Sequence, residues 1–304
     1  MNNRVESLGG EYMKAQKICF IGMGVMGAPM AGHVAKAGHD VSVYNRSAEK
    51  SERWAAEYSG TASTDLHSAV KNADIVLMCL GNDQSVEETL LGHDGVNGAM
   101  QSMRSGAVIV DHTTTSAKLA GKIAKAAQAL GLSFLDAPVS GGEVGAQNGA
   151  LTVMVGGAAA AFERAKPVID HYAKAVTLMG DSGAGQLTKM VNQICIAGLV
   201  QGLSEGMAFS EKAGLDGKLV LDVISKGAAQ SWQMENRGET MIAKEFDFGF
   251  AVDHMRKDLG LCLDQAQETG AQLPIVEIVD QYYAEVQAMG GARWDTSSLI
   301  KRLI

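Results

Sequence analysis

Ile18-Cys19-Phe20-Ile21-Gly22-Met23-Gly24-Val25-Met26-Gly27 is an apolar run that breaks into glycines spaced G-x-G-x-x-G. The run predicts a buried strand, and the periodic stretch Met26–Lys36 behind it predicts a helix. Between them Gly22 permits a sharp turn, Gly24 a close backbone approach to a pyrophosphate, and Gly27 tight helix–strand packing. Met23, Val25 and Met26 complete the turn, whose helix N-terminus favours negative charge. Alone, such a motif also fits a purely structural turn. Here the flanking strand and helix, and a second strand at the expected distance, favour a dinucleotide site.

The same phrase repeats outward from this point. Strands are expected at Lys17–Ile21, Val41–Tyr44, Ile75–Leu80, Val108–Asp111, Phe134–Asp136, Leu151–Val155 and Val176–Leu178. Helices between them include Ala48–Glu57, Ala117–Leu130 and Ala158–His171. Apolar strands alternating with helices predict an α/β fold, a Rossmann-type, mostly parallel sheet covered on both faces. The rhythm stops near Met179, and no strand is expected after Leu178. Gln186–Ala213 reads as a helix apolar enough for burial on several sides, followed by helices at Leu219–Ser225, Met255–Gln267 and Ile275–Gln287. The expected organisation is a disordered extension over 1–14 (or an upstream start ahead of Met13), a nucleotide-binding domain over 15–180, and an all-α domain over 181–304. The long helix, about 186–213, joins the two domains.

Composition narrows the function classes. The 304 residues are 46% hydrophobic and 20% charged, with net charge −8. That balance argues against general nucleic-acid binding, which selects basic surfaces. No apolar stretch reaches the length of a membrane span, and the N-terminus lacks the apolar core of a secretory signal. Cys19, Cys79, Cys195 and Cys262 lie in apolar segments without ligand spacing, as expected of reduced core residues in a cytoplasmic protein. The seven histidines (33, 39, 67, 93, 112, 171 and 254) are scattered, and no metal is implied.

The second strand ends in Asn45-Arg46-Ser47, where an NAD-selective site usually carries an acid for the ribose hydroxyls. A neutral Asn45 and a cationic Arg46 favour NADP over NAD, because guanidinium binds a 2′-phosphate that a carboxylate would repel. Arg46 as a solvated loop residue is the plainer alternative. Asn82 and Thr114 follow two further strands, at the ends where ligands gather in open sheets, although either can be a helix cap. Ser140-Gly141-Gly142 offers a hydroxyl and unobstructed N–H groups able to hold a carboxylate, or forms a plain glycine turn. Lys189 sits in an apolar helix, out of place unless it faces a cleft, and Asn192 shares its face one turn on.

These motifs together resemble the β-hydroxyacid dehydrogenases, the family of 3-hydroxyisobutyrate dehydrogenase and tartronate semialdehyde reductase. The resemblance runs from about Lys17 to the C-terminal end. It rests on GMGVMGAPMA at 22–31, DAPVSGGEVGAQNGALTVMVGG at 136–157, GAGQLTKMVNQ at 183–193 and KDLGLCLDQA at 257–266. It implies Lys189 as catalytic general acid and base, Asn192 as its helper, and Ser140–Gly142 as the grip on a substrate carboxylate. It places Lys257 near the cofactor, Asp258 near the lysine, and Trp232 and Phe250 in the variable substrate pocket. A base working near neutral pH would need the pKa of Lys189 lowered by burial.

The expected activity is hydride transfer between NADP and a short β-hydroxy acid or its semialdehyde, in a homodimer or homotetramer. An imine reductase is the nearby alternative, disfavoured because such relatives generally replace the lysine. A 6-phosphogluconate dehydrogenase is disfavoured by chain length and by Met190-Val191-Asn192, which lacks the expected histidine. A catalytically inactive NADP-binding scaffold would be marked by loss of Lys189.

Overall fold

The computed structural model describes residues 4–6 and 12–304. Of the extension expected to be disordered, Arg4–Glu6 (β1) and Tyr12–Lys14 (β2) pair antiparallel. Residues 1–3 and 7–11 lie outside the described residues. The chain forms two compact units, Met1–Lys189 and Met190–Ile304, with the division inside a helix.

The first unit is built on a nine-stranded sheet. Its strands are Lys17–Ile21 (β3), Asp40–Tyr44 (β4), Thr61–Ser63 (β5) and Ile75–Met78 (β6). A separate small ladder pairs Gly92–His93 (β7) with Val96–Asn97 (β8). The sheet continues with Val108–Asp111 (β9), Ser133–Asp136 (β10), Val139–Ser140 (β11), Leu151–Gly157 (β12) and Ala173–Gly180 (β13). From one side the order is β5-β4-β3-β6-β9-β10-β12, with β11 and β13 also on β12. Pairing is parallel from β5 to β10 and between β12 and β13, and antiparallel where β12 meets β10 and β11. Gly27–Lys36 (α1), Ala48–Glu57 (α2), Leu66–Val70 (α3), Asp83–Leu91 (α4), Ala117–Ala129 (α5), Gly142–Gln147 (α6) and Ala159–Ile169 (α7) complete the unit.

The alternation of side chains explains why the central strands read as continuous apolar runs. Ile18 and Phe20 of β3, Ile75 and Leu77 of β6, and Val108 and Val110 of β9 enter one core. Their neighbours Cys19, Ile21, Val76, Met78 and Ile109 enter a second core on the opposite face. Both faces are therefore covered, which demands apolar residues at every position. The elements that sequence reading passed over lack this signature: β5 has three residues and none is fully buried, β11 has two residues, and α3 has five.

Ala184–Lys212 (α8) is one continuous helix. The second unit adds Gly217–Ile224 (α9), Trp232–Ala243 (α10), Val252–Thr269 (α11), Pro274–Ala288 (α12) and a 3-10 stretch at Thr296–Arg302. Its core gathers Ala197, Val200, Met207, Met255, Leu259, Val276, Val279 and Tyr283. Among the described residues, an isolated bridge between Ala251 and Asp295 is the extended pairing found beyond Gly180. Helix α10 escaped the sequence reading because its faces are largely polar; Ser231 Oγ caps it by accepting the Met234 N–H.

Burial of α8 on several sides is not what the structure shows. Leu187, Val191, Leu199 and Phe209 are exposed, Phe209 to 71%. Apolar content predicted a face to be covered but not by what. Cys195 on the same helix is also exposed and Cys79 is half-buried, so only Cys19 and Cys262 are core cysteines. No helix among the described residues is long and apolar enough to cross a membrane.

Candidate active site

The three glycines of the first turn answer to different constraints. Gly22 has φ +99°, and a Cβ there would lie 2.3 Å from Cys79 O. A Cβ on Gly27 would lie 1.9 Å from Gly22 O, so α1 can pack against the turn only through glycine. Gly24 has neither a left-handed φ nor any atom within 4 Å of a built Cβ. The fold does not need glycine at 24, but a ligand lying against the backbone would. Helix α1 has no side-chain cap and no acid in its first turn, which leaves its N-terminal dipole available to a pyrophosphate. An open backbone at Gly24 beside a free helix N-terminus suits a dinucleotide pyrophosphate.

Asn45 serves the turn directly. Its Oδ1 accepts the Met23 N–H at 3.0 Å, and its Nδ2 donates to Ser47 O at 3.1 Å. The Gly22 N–H is held by Tyr44 O at 2.9 Å. Met23 is buried in the core while Val25 is 63% exposed, so of these two only Val25 presents a side chain outward. Arg46 and Ser47 are exposed, and Ser47 precedes α2 without capping it. Asn82 is a helix cap: its Oδ1 accepts the Ser85 N–H and its own N–H goes to Ser85 Oγ, a reciprocal box.

A buried polar network underlies the remaining loops of this unit. Thr113 and Thr115 are buried on either side of Thr114. Thr113 Oγ1 accepts the Leu80 N–H at 2.8 Å, and Asp111 Oδ1 accepts the Thr113 N–H at 2.9 Å. His112 donates from Nδ1 to Ala137 O at 2.7 Å and accepts at Nε2 from the Tyr172 hydroxyl at 2.8 Å. Burial lowers the His112 pKa to about 4 and raises that of Asp111 to about 7. Asp136 is likewise pushed up by burial, against the opposing pull of backbone N–H groups that it accepts.

Ser140 ends β11 and is half-buried, and Gly141 and Gly142 follow with φ +131° and +62°. A Cβ on Gly142 would meet nothing within 4 Å. Lys189, the last residue of this unit, is buried at 7% exposure.

In the second unit Asn192 Nδ2 donates to Gln193 Oε1 at 2.8 Å, and Gln193 Nε2 donates to Asp258 Oδ2 at 2.7 Å. Asp258 Oδ1 lies 3.0 Å from Lys257 Nζ, an ion pair not aligned as a hydrogen bond. Sequence reading found Asn192, Lys257 and Asp258 but missed Gln193, the link between them. Trp232 is exposed at the start of α10, with the Arg237 guanidinium 5.0 Å from its ring. The Phe250 N–H is held by Asp295 Oδ2 at 2.9 Å. Arg237 and Asp295, which touch the Trp232 ring and the Phe250 N–H, also pair with each other at 3.0 Å.

Gln186 and the role of Asp136 were also missed. Gln186 is an uncharged polar residue in an apolar helix, the same anomaly that singled out Lys189. No cluster of three or more His, Cys, Asp or Glu residues suited to a metal occurs among the described residues.

A family model described as the NAD binding domain of 6-phosphogluconate dehydrogenase matches residues 17–180. One described as NAD-binding of NADP-dependent 3-hydroxyisobutyrate dehydrogenase matches residues 183–303. An "uncharacterized oxidoreductase" of Shewanella frigidimarina is 57% identical, over 94% of this chain and 98% of that protein. The 2-hydroxy-3-oxopropionate reductase of Escherichia coli is 37% identical, over 94% and 97%. The structure of Mycobacterium tuberculosis 3-hydroxyisobutyrate dehydrogenase with L-serine covers 95% of this chain and 99% of its own, with TM-score 0.85 and 30% identity. With its turn shaped for a dinucleotide and both halves matched, the chain belongs to the 3-hydroxyisobutyrate dehydrogenase family of NAD(P)-dependent oxidoreductases.

Proposed function

We propose that the chain transfers a hydride between NADP and a short β-hydroxy acid or its semialdehyde, of the 3-hydroxyisobutyrate or tartronate semialdehyde class. The observation that carries this reading is Lys189, a lysine buried near the start of α8. Lysine is seldom buried so fully, and a lysine held in such a place can give and take a proton at a substrate hydroxyl.

The Gly22–Gly27 turn, Thr114 and the exposed pair Arg46 and Ser47 would hold the cofactor, which supplies or accepts the hydride when bound. Arg46 beside the uncapped start of α2 supports NADP over NAD. Ser140 and the open N–H groups of Gly141 and Gly142 anchor the substrate carboxylate. In reduction Lys189 Nζ gives a proton to the forming alkoxide, and in oxidation the neutral amine takes the hydroxyl proton. Asn192, Trp232, Phe250 and Asp258 as substrate residues, and Lys257 as a cofactor residue, remain part of the proposal on family resemblance. So does a homodimer or homotetramer, supported by the exposed Val191, Leu199 and Phe209 on α8; sedimentation velocity giving a monomer would remove it.

The test follows absorbance at 340 nm with NADPH and NADH separately against short semialdehydes, glyoxylate and cyclic imines. Turnover of a carboxylate-bearing aldehyde, faster with NADPH, is expected. NADH preference would overturn the Arg46 reading alone. Lys189→Ala should abolish turnover while cofactor still binds, and retained turnover would remove Lys189 from the mechanism.

A further inference from the structure

The first turn of α8 is seated on a carboxylate from the sheet. Asp136 ends β10 with 0% exposure, and its two oxygens point to one place. Oδ1 accepts the Gly183 N–H at 2.7 Å and Oδ2 accepts the Gln186 N–H at 2.9 Å. A negative charge at a helix N-terminus is favoured by the helix dipole.

Two glycines close the seat. A Cβ on Gly156 would lie 2.6 Å from Asp136 Oδ1; one on Gly185 would lie 2.4 Å from Met154 O and 2.8 Å from Asp136 Oδ2. Neither has a left-handed φ, so proximity, not backbone conformation, requires glycine there. Gln186 supplies a second tie. Its Oε1 accepts the Thr115 N–H at 3.0 Å and its Nε2 donates to Thr113 O at 2.8 Å, bracketing Thr114.

We propose that Asp136 and Gln186 are positioning residues for Lys189, fixing the register of the first turn of α8 against the loops that carry Thr114 and Ser140. The proposal rests on Lys189 being the proton-transfer group. Lys189 lies three residues past Gln186, on the same face of the helix. A slip of one residue would move it by about 1.5 Å along the axis and turn it by about 100°. A misplacement of about 1 Å can cost roughly a hundredfold in rate. Simple packing could be done by apolar residues, since a buried carboxylate is destabilising unless fully satisfied. What hydrogen bonds add is direction.

The experiment compares Asp136→Asn and Gly185→Ala, each alone and combined with Lys189→Ala. Asparagine keeps one acceptor and turns an amide N–H towards a backbone N–H; the added methyl leaves every polar group in place but lifts the turn. Steady-state kcat and KM are measured, with single-turnover hydride transfer in the Lys189→Ala background. Each single variant is expected to lower kcat by about a hundredfold, with KM for the cofactor within about threefold. Neither should lower the residual rate of Lys189→Ala further. A wild-type kcat in Asp136→Asn, or the same loss in both backgrounds, would overturn the proposal. If Asp136→Asn does not fold, Gln186→Glu, which keeps the acceptor for Thr115 and loses the donor to Thr113, takes its place. A fully active Lys189→Ala enzyme rejects the lysine reading and the positioning with it. An inactive Lys189→Ala beside an unimpaired Asp136→Asn rejects the positioning alone.

Discussion

The turn at Gly22–Gly27 and the loop at Ser140–Gly142 are both glycine-rich and both lead into a helix, yet they are glycine for opposite reasons. At 22 and 27 the space is full, with a built Cβ 2.3 Å and 1.9 Å from carbonyl oxygens. At 142 the space is empty and the backbone conformation, φ +62°, is what disfavours a side chain. Gly24 satisfies neither condition, so nothing within the chain requires glycine there. A glycine motif is therefore a mixture, and only the structure separates the glycines that build the fold from those that make room.

That separation can be broken by substitution, taken here from the largest expected effect on stability to the smallest. Gly27→Ala should cost at least about 3 kcal/mol, because the methyl meets backbone that cannot yield without parting α1 from β3. Urea unfolding would show it, and a change under 1 kcal/mol would mean that the turn adjusts easily.

The supports beneath the two loops also differ. The Ser140 loop is rooted at Ala137, whose carbonyl accepts a hydrogen bond from His112 and whose N–H donates to the carbonyl of the buried Asp111. His112, lowered to about 4, stays neutral in the folded chain while the unfolded chain binds a proton. Its contribution is therefore lost as pH falls from about 6.5 towards 4. Asp111, raised from 3.8 to about 7, binds its proton first in the folded chain, so its contribution grows as pH falls from about 7 towards 3.8. Between pH 7 and 5 each amounts to about 2 kcal/mol, with opposite signs. Asp111→Asn should thus steepen the loss of stability on acidification, and His112→Asn should reverse it. Urea midpoints at both pH values that move alike in the two variants would refute the opposition.

Gly142→Ala should cost roughly 1–2 kcal/mol, the penalty for a side chain in left-handed backbone. It should raise KM for the acid and leave cofactor affinity unchanged; an effect on the cofactor alone would misplace this loop. Gly24→Ala should change stability by less than about 0.5 kcal/mol and weaken cofactor binding by about tenfold or more, near 1.4 kcal/mol. Isothermal titration with NADPH checks this, and unchanged affinity would mean that nothing approaches Gly24.

Much of this was readable before any coordinates. The central strands announced themselves because both faces are buried, and Lys189 stood out as a charge in an apolar helix. Gln186 broke the same pattern three residues earlier but passed unnoticed, since an amide in a helix is common and its partners Thr113 and Thr115 are about 70 residues away. Asp136 read as the end of a strand because its partners, the N–H groups of Gly183 and Gln186, leave no trace in residue type. Asn82 and Asn45 read as cofactor residues; that their oxygens also accept the Ser85 and Met23 N–H groups is what the fold adds. Local spacing identifies which polar residues are unusual; only the fold says whom they answer to.

Asp136, Gly156 and Gly185 form a set in which a change at one member is felt by the others. Enlarging either glycine drives a methyl group against backbone or the carboxylate, and altering the carboxylate strands the N–H groups it receives. Substitutions here are therefore expected to be non-additive, because the three residues share one contact. The corner thus behaves as one unit, and the seat of α8 is only as firm as its least tolerant member.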